Sequence, residues 1–399
     1  MLHHYQSDSM HTGSFVFAQI VDFIPRRQFD ECVNRYRGNC HVRELSCRKQ
    51  FLALLFGQLT QMDSLRDIVI CLSAQKSKLY HLGFGEGIAR STLAEANEKR
   101  NFFIYRDLAC HLISRAQKLY QDEPVLLDGL DTKVYALDAS VIDLCLTWFG
   151  WATFRRHKAG VKLHVVLDLQ GNIPAIFYVT KASVHDVNIM DILDWEKGAL
   201  YIMDRGYTDF KRLYDIENAG ADFIIRAKHN LHFRRTNTRP VDKSTGLRCD
   251  QTIRLGGSRT GKLYPKRLRR IKYFDAETKR HYIFLTNNFD LPALHIAKLY
   301  KYRWQVELFF KWIKQHVKIK VFWGRSENAV QTQMCVAICA YTLIAIMKKQ
   351  LRIDREMHEI LQILRVCMFD QNGLLALFSD GNLQSCEGAS LKQPVFTGF

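Results

Sequence analysis

The chain has 399 residues, 47% of them hydrophobic, enough for a sizeable core spread over two or three domains, which excludes a disordered or fibrous protein. A formal charge of +17 calls for a polyanionic partner, nucleic acid before any other, because neutralising phosphates releases counterions and supplies affinity without reading sequence. Eleven cysteines, an odd number with no Cys-x2-Cys spacing, exclude a disulfide scaffold and suit reduced thiols in a cytosol.

The start, Met1 to Gln6, lacks a basic segment followed by an apolar one, so no secretory signal is expected and a cytoplasmic location is. From residue 15 to about 125 the pattern is helical. Phe51 to Leu72 carries apolar residues at helical spacing with a break near Thr60 to Ser64, and Thr92 with Glu95 makes a capping-box pattern ahead of Leu93 to Arg100. The helix entered by Ser91-Thr92 and followed by Asn97, Lys99 and Arg100 has two readings, a recognition helix for duplex DNA or an ordinary helix packed on its neighbours.

From about residue 126 the period changes. Strands are predicted at 134–138, 161–168 and 173–180, the last two joined by a turn at Gln170-Gly171-Asn172. A helical segment near 186–196 follows, then a strand closing on Asp204, a helix over about 207–219 and a strand from Asp222 to Ala227. Lys228 to Arg280 holds 16 Lys or Arg against 4 Asp or Glu, most of the surplus charge of the chain. Alternation in Thr252 to Leu255 and Arg269 to Phe274 predicts short strands there, with a turn at Gly256-Gly257. The basic runs Phe233-Arg234-Arg235 and Lys266 to Arg270 exceed what surface salt bridges explain, and the segment is expected to lie along DNA phosphates as a β-rich insertion.

A long helix then carries Tyr300, Arg303, Glu307 and Lys314 within a stripe about 60° wide, beside an apolar stripe of Leu299, Val306, Phe310, Ile313 and Val317. A lone Glu between Arg and Lys suits a divalent metal flanked by phosphate-binding cations, although Arg303 and Lys311 at i−4 and i+4 would also make ordinary ion pairs with it. Two strand-end carboxylates upstream, Asp138 and Asp204, are placed to meet Glu307 at one edge of a sheet. Asp143, Asp168 and His185-Asp186 are lesser candidates: acids beside strands or turns, and a helix cap. Two further helices, Glu327 to Lys349 and Asp354 to Phe369, precede a polar stretch past about 378 that is expected to be loosely held. The longest apolar run, Cys335 to Met347, is too short to span a bilayer, so no membrane partner is expected.

The spacing Tyr-x2-Arg-x3-Glu-x6-Lys at Tyr300, Arg303, Glu307 and Lys314 resembles the Y-R-E-K signature of bacterial DDE transposases of the insertion-sequence-four family. Leu137-Asp138-Ala139-Ser140 and Met203-Asp204-Arg205-Gly206-Tyr207 resemble that family's two catalytic-Asp motifs, in the right order, and Phe17 to Ile20, Ser64 to Ile68 and Arg90 to Asn97 resemble its amino-terminal domain. The resemblance covers most of the chain and weakens after about residue 350. It implies a helical DNA-binding domain over 1–125, a ribonuclease-H-like core over 126–350 with a β-rich insertion at about 229–285, and a helical carboxy-terminal segment over 351–399.

It also implies Asp138, Asp204 and Glu307 as catalytic metal ligands for two Mg²⁺ ions, with Mn²⁺ able to substitute, and Tyr300, Arg303, Lys314 and Arg205 on DNA phosphate. Hard carboxylate oxygens suit that metal, and two such ions can drive in-line displacement at phosphorus. The implied partners are double-stranded DNA, as element ends and target, and a second copy of the chain, with a hairpin intermediate during excision. Two other functions stay open: a ribonuclease-H-like nuclease without strand transfer, and a catalytically silent DNA-binding regulator. Trp304, Trp312 and Trp323 suit either core packing or stacking on an extruded base.

Overall fold

The computed structural model describes residues 14–84, 87–123, 130, 132–228, 230–257 and 259–378. The chain start and the polar stretch past 378 lie outside these residues, and with them the readings made there.

Seven helices come first: α1 (Val16–Asp22), α2 (Arg26–Arg35), α3 (Cys47–Leu59), α4 (Leu65–Ala74), α5 (Lys76–Leu79), α6 (Arg90–Lys99) and α7 (Phe103–Tyr120). The break expected near Thr60 to Ser64 separates α3 from α4. Ser46 and Ser64 set the two starts, each hydroxyl accepting from a backbone N–H three residues on, Lys49 and Asp67. The Thr92–Glu95 capping box does not form, because α6 begins at Arg90 after Ala89 and so already contains Thr92.

Ten strands make one sheet: β1 (Val134–Leu144), β2 (Thr153–Arg155), β3 (Lys158–Asp168), β4 (Ile173–Lys181), β5 (Leu200–Met203), β6 (Asp222–Arg226), β7 (Phe233–Arg239), β8 (Leu247–Leu255), β9 (Leu268–Asp275) and β10 (Arg280–Thr286). β3 pairs antiparallel with β1 on one side and β4 on the other, while β5 and β6 follow parallel to β1. Strand order β4-β3-β1-β5-β6 is that of a ribonuclease-H-like core, as the sequence predicts. The β3–β4 turn uses left-handed backbone at Asn172 (φ 56°), which Asn tolerates through its short polar side chain.

One expectation fails here. Residues 186–196 form no α-helix, only a tight 3₁₀ stretch over Asp186–Ile192. The basic insertion forms strands β7 to β10 and joins the core, because β10 pairs antiparallel with β6 and β10-β9-β8-β7 extend the sheet. Its cations are also less free than their number suggests. Arg269 is 3% exposed and forms two hydrogen bonds to Asp250, Arg270 bonds Gln251, and Lys266 pairs with Glu217 across the sheet edge on α8 (Phe210–Asn218). Arg234 and Arg235, on the exposed edge strand β7, remain open to solvent.

After the short α9 (Thr260–Leu263), helices α10 (Ala293–Tyr302), α11 (Trp304–His316), α12 (Glu327–Gln350), α13 (Met357–Cys367) and α14 (Leu374–Phe378) complete the chain. α12 is long and apolar enough to cross a membrane, yet 94% of its apolar window is buried inside the protein. It is the central core helix, lying between α3, α6 and α7 and the β4 edge of the sheet. One large apolar core joins the amino-terminal helices, α11 and α12 to one face of the sheet; a second, smaller core under α8 covers the other.

β3 carries two polar residues in an otherwise apolar run, Lys162 and His164, both buried. Lys162 donates to the carbonyl of Val184 at 2.7 Å and pairs with Asp186 at 2.6 Å. His164 meets the Thr180 hydroxyl at 2.9 Å, and burial depresses its pKa to about 4, with Lys162 adding to the effect and Asp186 opposing it. The unfolded chain therefore binds the extra proton between about pH 6.5 and 4, and stability is complete above that window and lost as pH falls through it. The expected loss attributable to His164 between pH 7 and pH 5 is about 2 kcal/mol. Urea unfolding at both pH values would show it, and His164→Gln should lose that much less.

Candidate active site

Parallel pairing of β1 with β5 sets Leu137 beside Met203, so Asp138 and Asp204 follow at the same level on neighbouring strands. Alternation along β1 decides the face: Leu137 enters the smaller core and Ala136 the larger, which puts Asp138 on the face covered by α11. α11 docks there through Val306, Phe310 and Ile313, all in the larger core, and so brings Glu307 over the strand ends.

The long helix predicted across this region is interrupted at Arg303, which stands between α10 and α11. Tight i to i−3 hydrogen bonds flank it, Arg303 N to the Tyr300 carbonyl and Val306 N to the Arg303 carbonyl, both 3.2 Å. The Arg303 backbone nevertheless keeps right-handed helical angles (φ −52°, ψ −28°), and its guanidinium faces the sheet. Its Nη1 donates to Asp138 Oδ2 at 3.1 Å and its Nη2 to Glu307 Oε1, with only 16% of the side chain exposed. Arg303 is thus a bridge between two of the three predicted carboxylates.

Asp204 sits at the start of a short turn, where its carboxylate accepts the N–H of Gly206. A side chain at Gly206 would crowd that oxygen, since a Cβ there would lie 2.9 Å from Asp204 Oδ1. Burial pushes the Asp138 carboxyl up to about 6; the Ala139 N–H and Arg303 pull it down, and the negative charges of Asp204 and Glu307 push it further up. The three carboxylates therefore feel one another electrostatically. Among the described residues, no three His, Cys, Asp or Glu side chains are drawn together tightly enough to hold a metal ion as they stand. The donor set itself fits one: hard oxygens, short of positive charge, with a single guanidinium between two of them.

The other predicted residues surround this centre in different ways. Tyr300 packs its ring against Phe284 at 4.7 Å between centroids, and burial raises its pKa. Lys314 donates to the Val141 carbonyl at 2.9 Å, three residues beyond Asp138 on β1. Arg205 is exposed, with no ion-pair partner among the described residues. Asp168 lies at the opposite end of the β1–β3 pair and accepts from Gln170 N in the turn. Asp143 is exposed farther along β1. The cap expected of His185-Asp186 does not form, Asp186 instead pairing with Lys162. Of the tryptophans, Trp323 is buried and Trp304 is 57% exposed.

Sequence reasoning quoted Tyr207 with the second Asp motif but gave it no role. It is 2% exposed, its hydroxyl has no hydrogen-bond partner among the described residues, and burial raises its pKa with the charges of Asp138, Asp186 and Asp204 adding to the effect. The signals available were its place three residues after Asp204 and the two polar residues inside apolar β3. In the amino-terminal helices, two residues of the suggested recognition helix are used internally. Buried Asn97 accepts from Gln50, and Arg100 bonds Gln50 and the Leu45 carbonyl. Both serve packing.

Comparison with known proteins adds the following. Residues 129–343 match the family described as "Transposase DDE domain", and residues 12–85 match a "Domain of unknown function (DUF4372)". A Sinorhizobium fredii protein named as a transposase is 35% identical over 233 residues, 57% of this chain and 65% of that protein. A Geobacillus stearothermophilus protein named as the transposase of an insertion-sequence element is 31% identical over 210 residues, 52% of this chain and 55% of that protein. The chain thus spans less than two thirds of the length of either relative. A cryo-EM structure of the piggyBac transposase synaptic complex with hairpin DNA aligns with a TM-score of 0.43 at 9% identity, covering 93% of this chain and 81% of that one.

Proposed function

Because the chain belongs to the transposase DDE domain family, we propose that it is a DNA transposase, binding the terminal inverted repeats of an insertion sequence, cutting at the element ends and joining the freed 3′ hydroxyl to target DNA. The observation that carries this reading is the Arg303 bridge, which ties Asp138 to Glu307 beside Asp204.

In this reading Asp138, Asp204 and Glu307 hold divalent Mg²⁺, with Mn²⁺ able to substitute. When bound, such ions activate an attacking oxygen and stabilise the leaving 3′ oxygen. Arg303 keeps Asp138 and Glu307 from repelling each other before DNA arrives, and its remaining N–H groups are available to a phosphate oxygen. Lys314 and Arg205 supply point charges to either side, and the Tyr300 hydroxyl donates to a phosphate oxygen. Two copies acting on paired ends make up the active complex.

The test is a Mg²⁺-dependent assay on duplex DNA carrying the repeats that flank the gene. Cutting together with joining is the expected result. Cutting without joining would replace the proposal with a nuclease, and salt-sensitive binding with neither would replace it with a regulator. DNA affinity should fall steeply between 50 and 200 mM salt, by about 10³-fold for six or more phosphate contacts.

A further inference from the structure

β1 does not stop at the candidate active site. It continues six residues past Asp138 to Leu144, paired with β3 throughout, while its neighbour β5 ends at Met203. At about 3.3 Å per residue the β1–β3 ribbon therefore projects about 20 Å beyond the carboxylates. At its far end β2 folds back onto β3, and the tip between them reads Arg155-Arg156-His157-Lys158, four consecutive exposed residues with no carboxylate partner among the described residues.

The arm is braced. The Trp151 indole N–H donates to the Arg325 carbonyl at 2.8 Å, and Phe149 meets Phe322 edge-on at 6.2 Å, so the loop between β1 and β2 is fastened to the connection between α11 and α12. Gly160 lets the strands pack closely, since a Cβ there would come 3.0 Å from the Ile142 carbonyl oxygen and 3.2 Å from the Phe154 ring. The Arg325 guanidinium lies 4.4 Å from the centre of the Trp148 ring, which is itself 56% exposed. Lys320, also exposed, stands near enough to Lys314 to lower its pKa after the larger effect of burial. Beyond the carboxylate centre, Lys314 and Lys320 on one side and Arg325 and the tip on the other are thus basic. Acidic residues beside these cations include Asp143, whose charge acts on Lys314, and Glu327, 4.0 Å from Lys181.

We propose that this arm is a DNA-binding surface, gripping the phosphate backbone of the duplex being cut about six base pairs from the cleaved phosphate. The spacing follows from length: about 20 Å of ribbon matches about six steps of 3.4 Å along one strand. A rigid, fastened ribbon with a solvent-facing basic tip suits backbone contact, which needs charge at a fixed distance and no base reading. The inference rests on the strand-cleavage reading for the position of the cut, whereas its charge component does not.

The experiment uses the full chain with Arg155→Ala, Arg156→Ala and Lys158→Ala combined, and Arg156→Glu as a second variant; all three positions are exposed, and an unchanged melting curve confirms folding. Affinity for a terminal-repeat duplex is measured across a salt series, and the bound complex is footprinted with hydroxyl radicals. The expected result is a salt slope lower by about three for the triple variant, about tenfold weaker binding, and loss of backbone protection about six nucleotides from the mapped cut. An unchanged slope and footprint would overturn the proposal. So would normal binding to the terminal repeat with a defect only in capture of target DNA. Absence of cutting by the native chain, with the slope still lowered in the variant, would count against the transposase reading and leave the charged surface standing.

Discussion

Replacing Asp138 by Asn should lower strand cleavage by at least about 10³-fold while leaving DNA binding within about twofold of native. The reasoning starts from position. Asp138 is held on one side by the Ala139 N–H at 2.8 Å and on the other by Arg303 at 3.1 Å, and it lies level with Asp204 on the adjacent parallel strand. Asn keeps the shape and one acceptor oxygen, enough to hold either the Ala139 N–H or Arg303, and the apolar packing of β1 is untouched; what is lost is a full negative charge where the proposed chemistry needs one. Glu307→Gln should behave alike, because its carboxylate shares the same guanidinium. Arg303→Ala is expected to differ from both. It leaves two carboxylates facing each other without their bridge, so it should weaken DNA binding as well as cutting. Gel-shift affinity and cleavage rates on one duplex, measured side by side, check all three. An Asp138→Asn protein that still cuts at even a tenth of the native rate would remove this residue from the mechanism.

Arg269→Ala should destabilise the protein by about 3–5 kcal/mol, the largest folding effect expected of any charged residue in the insertion. Arg269 and Asp250 are each 3% exposed and joined by two hydrogen bonds of 3.0 and 2.8 Å, while Arg269 also donates to the carbonyl of Leu291. Removing the guanidinium leaves a carboxylate in the sheet interior, with only the 3.4 Å contact from Arg239 to compensate it. The paired replacement Arg269→Met with Asp250→Leu should recover most of the loss, because no charge is then left buried. Urea unfolding followed by far-ultraviolet circular dichroism measures both. Equal stability of Arg269→Ala and the native chain would mean that water reaches Asp250.

How much of this was legible beforehand varies by element. The succession of core elements along the chain, the β3–β4 turn and the break between α3 and α4 follow from local pattern: apolar alternation, a Gly-Asn turn and a capping Ser are each decided within a few residues. The approach of Asp138 to Glu307 was expected from strand-end and helix positions, although β1 in fact runs six residues past Asp138 to Leu144. The extension of the sheet by β7 to β10 was not, since which edge a strand joins depends on a partner more than fifty residues away. Nor was the fate of single cations. Arg269 and Arg270 are neighbours of identical chemistry, and strand alternation sends one into the interior to Asp250 and the other to Gln251 at the half-buried face.

Arg303 shows the same division. Its spacing from Glu307 is a property of the chain, but its contact with Asp138 exists only once α11 docks on β1. By itself the sequence determined the kinds of residue present, the periods that make helices and strands, and the order of the three carboxylates. Tertiary structure alone decided which charges meet, which are buried in pairs and which stay open to solvent, because those outcomes depend on long-range pairing and on desolvation, and neither is encoded within a local window.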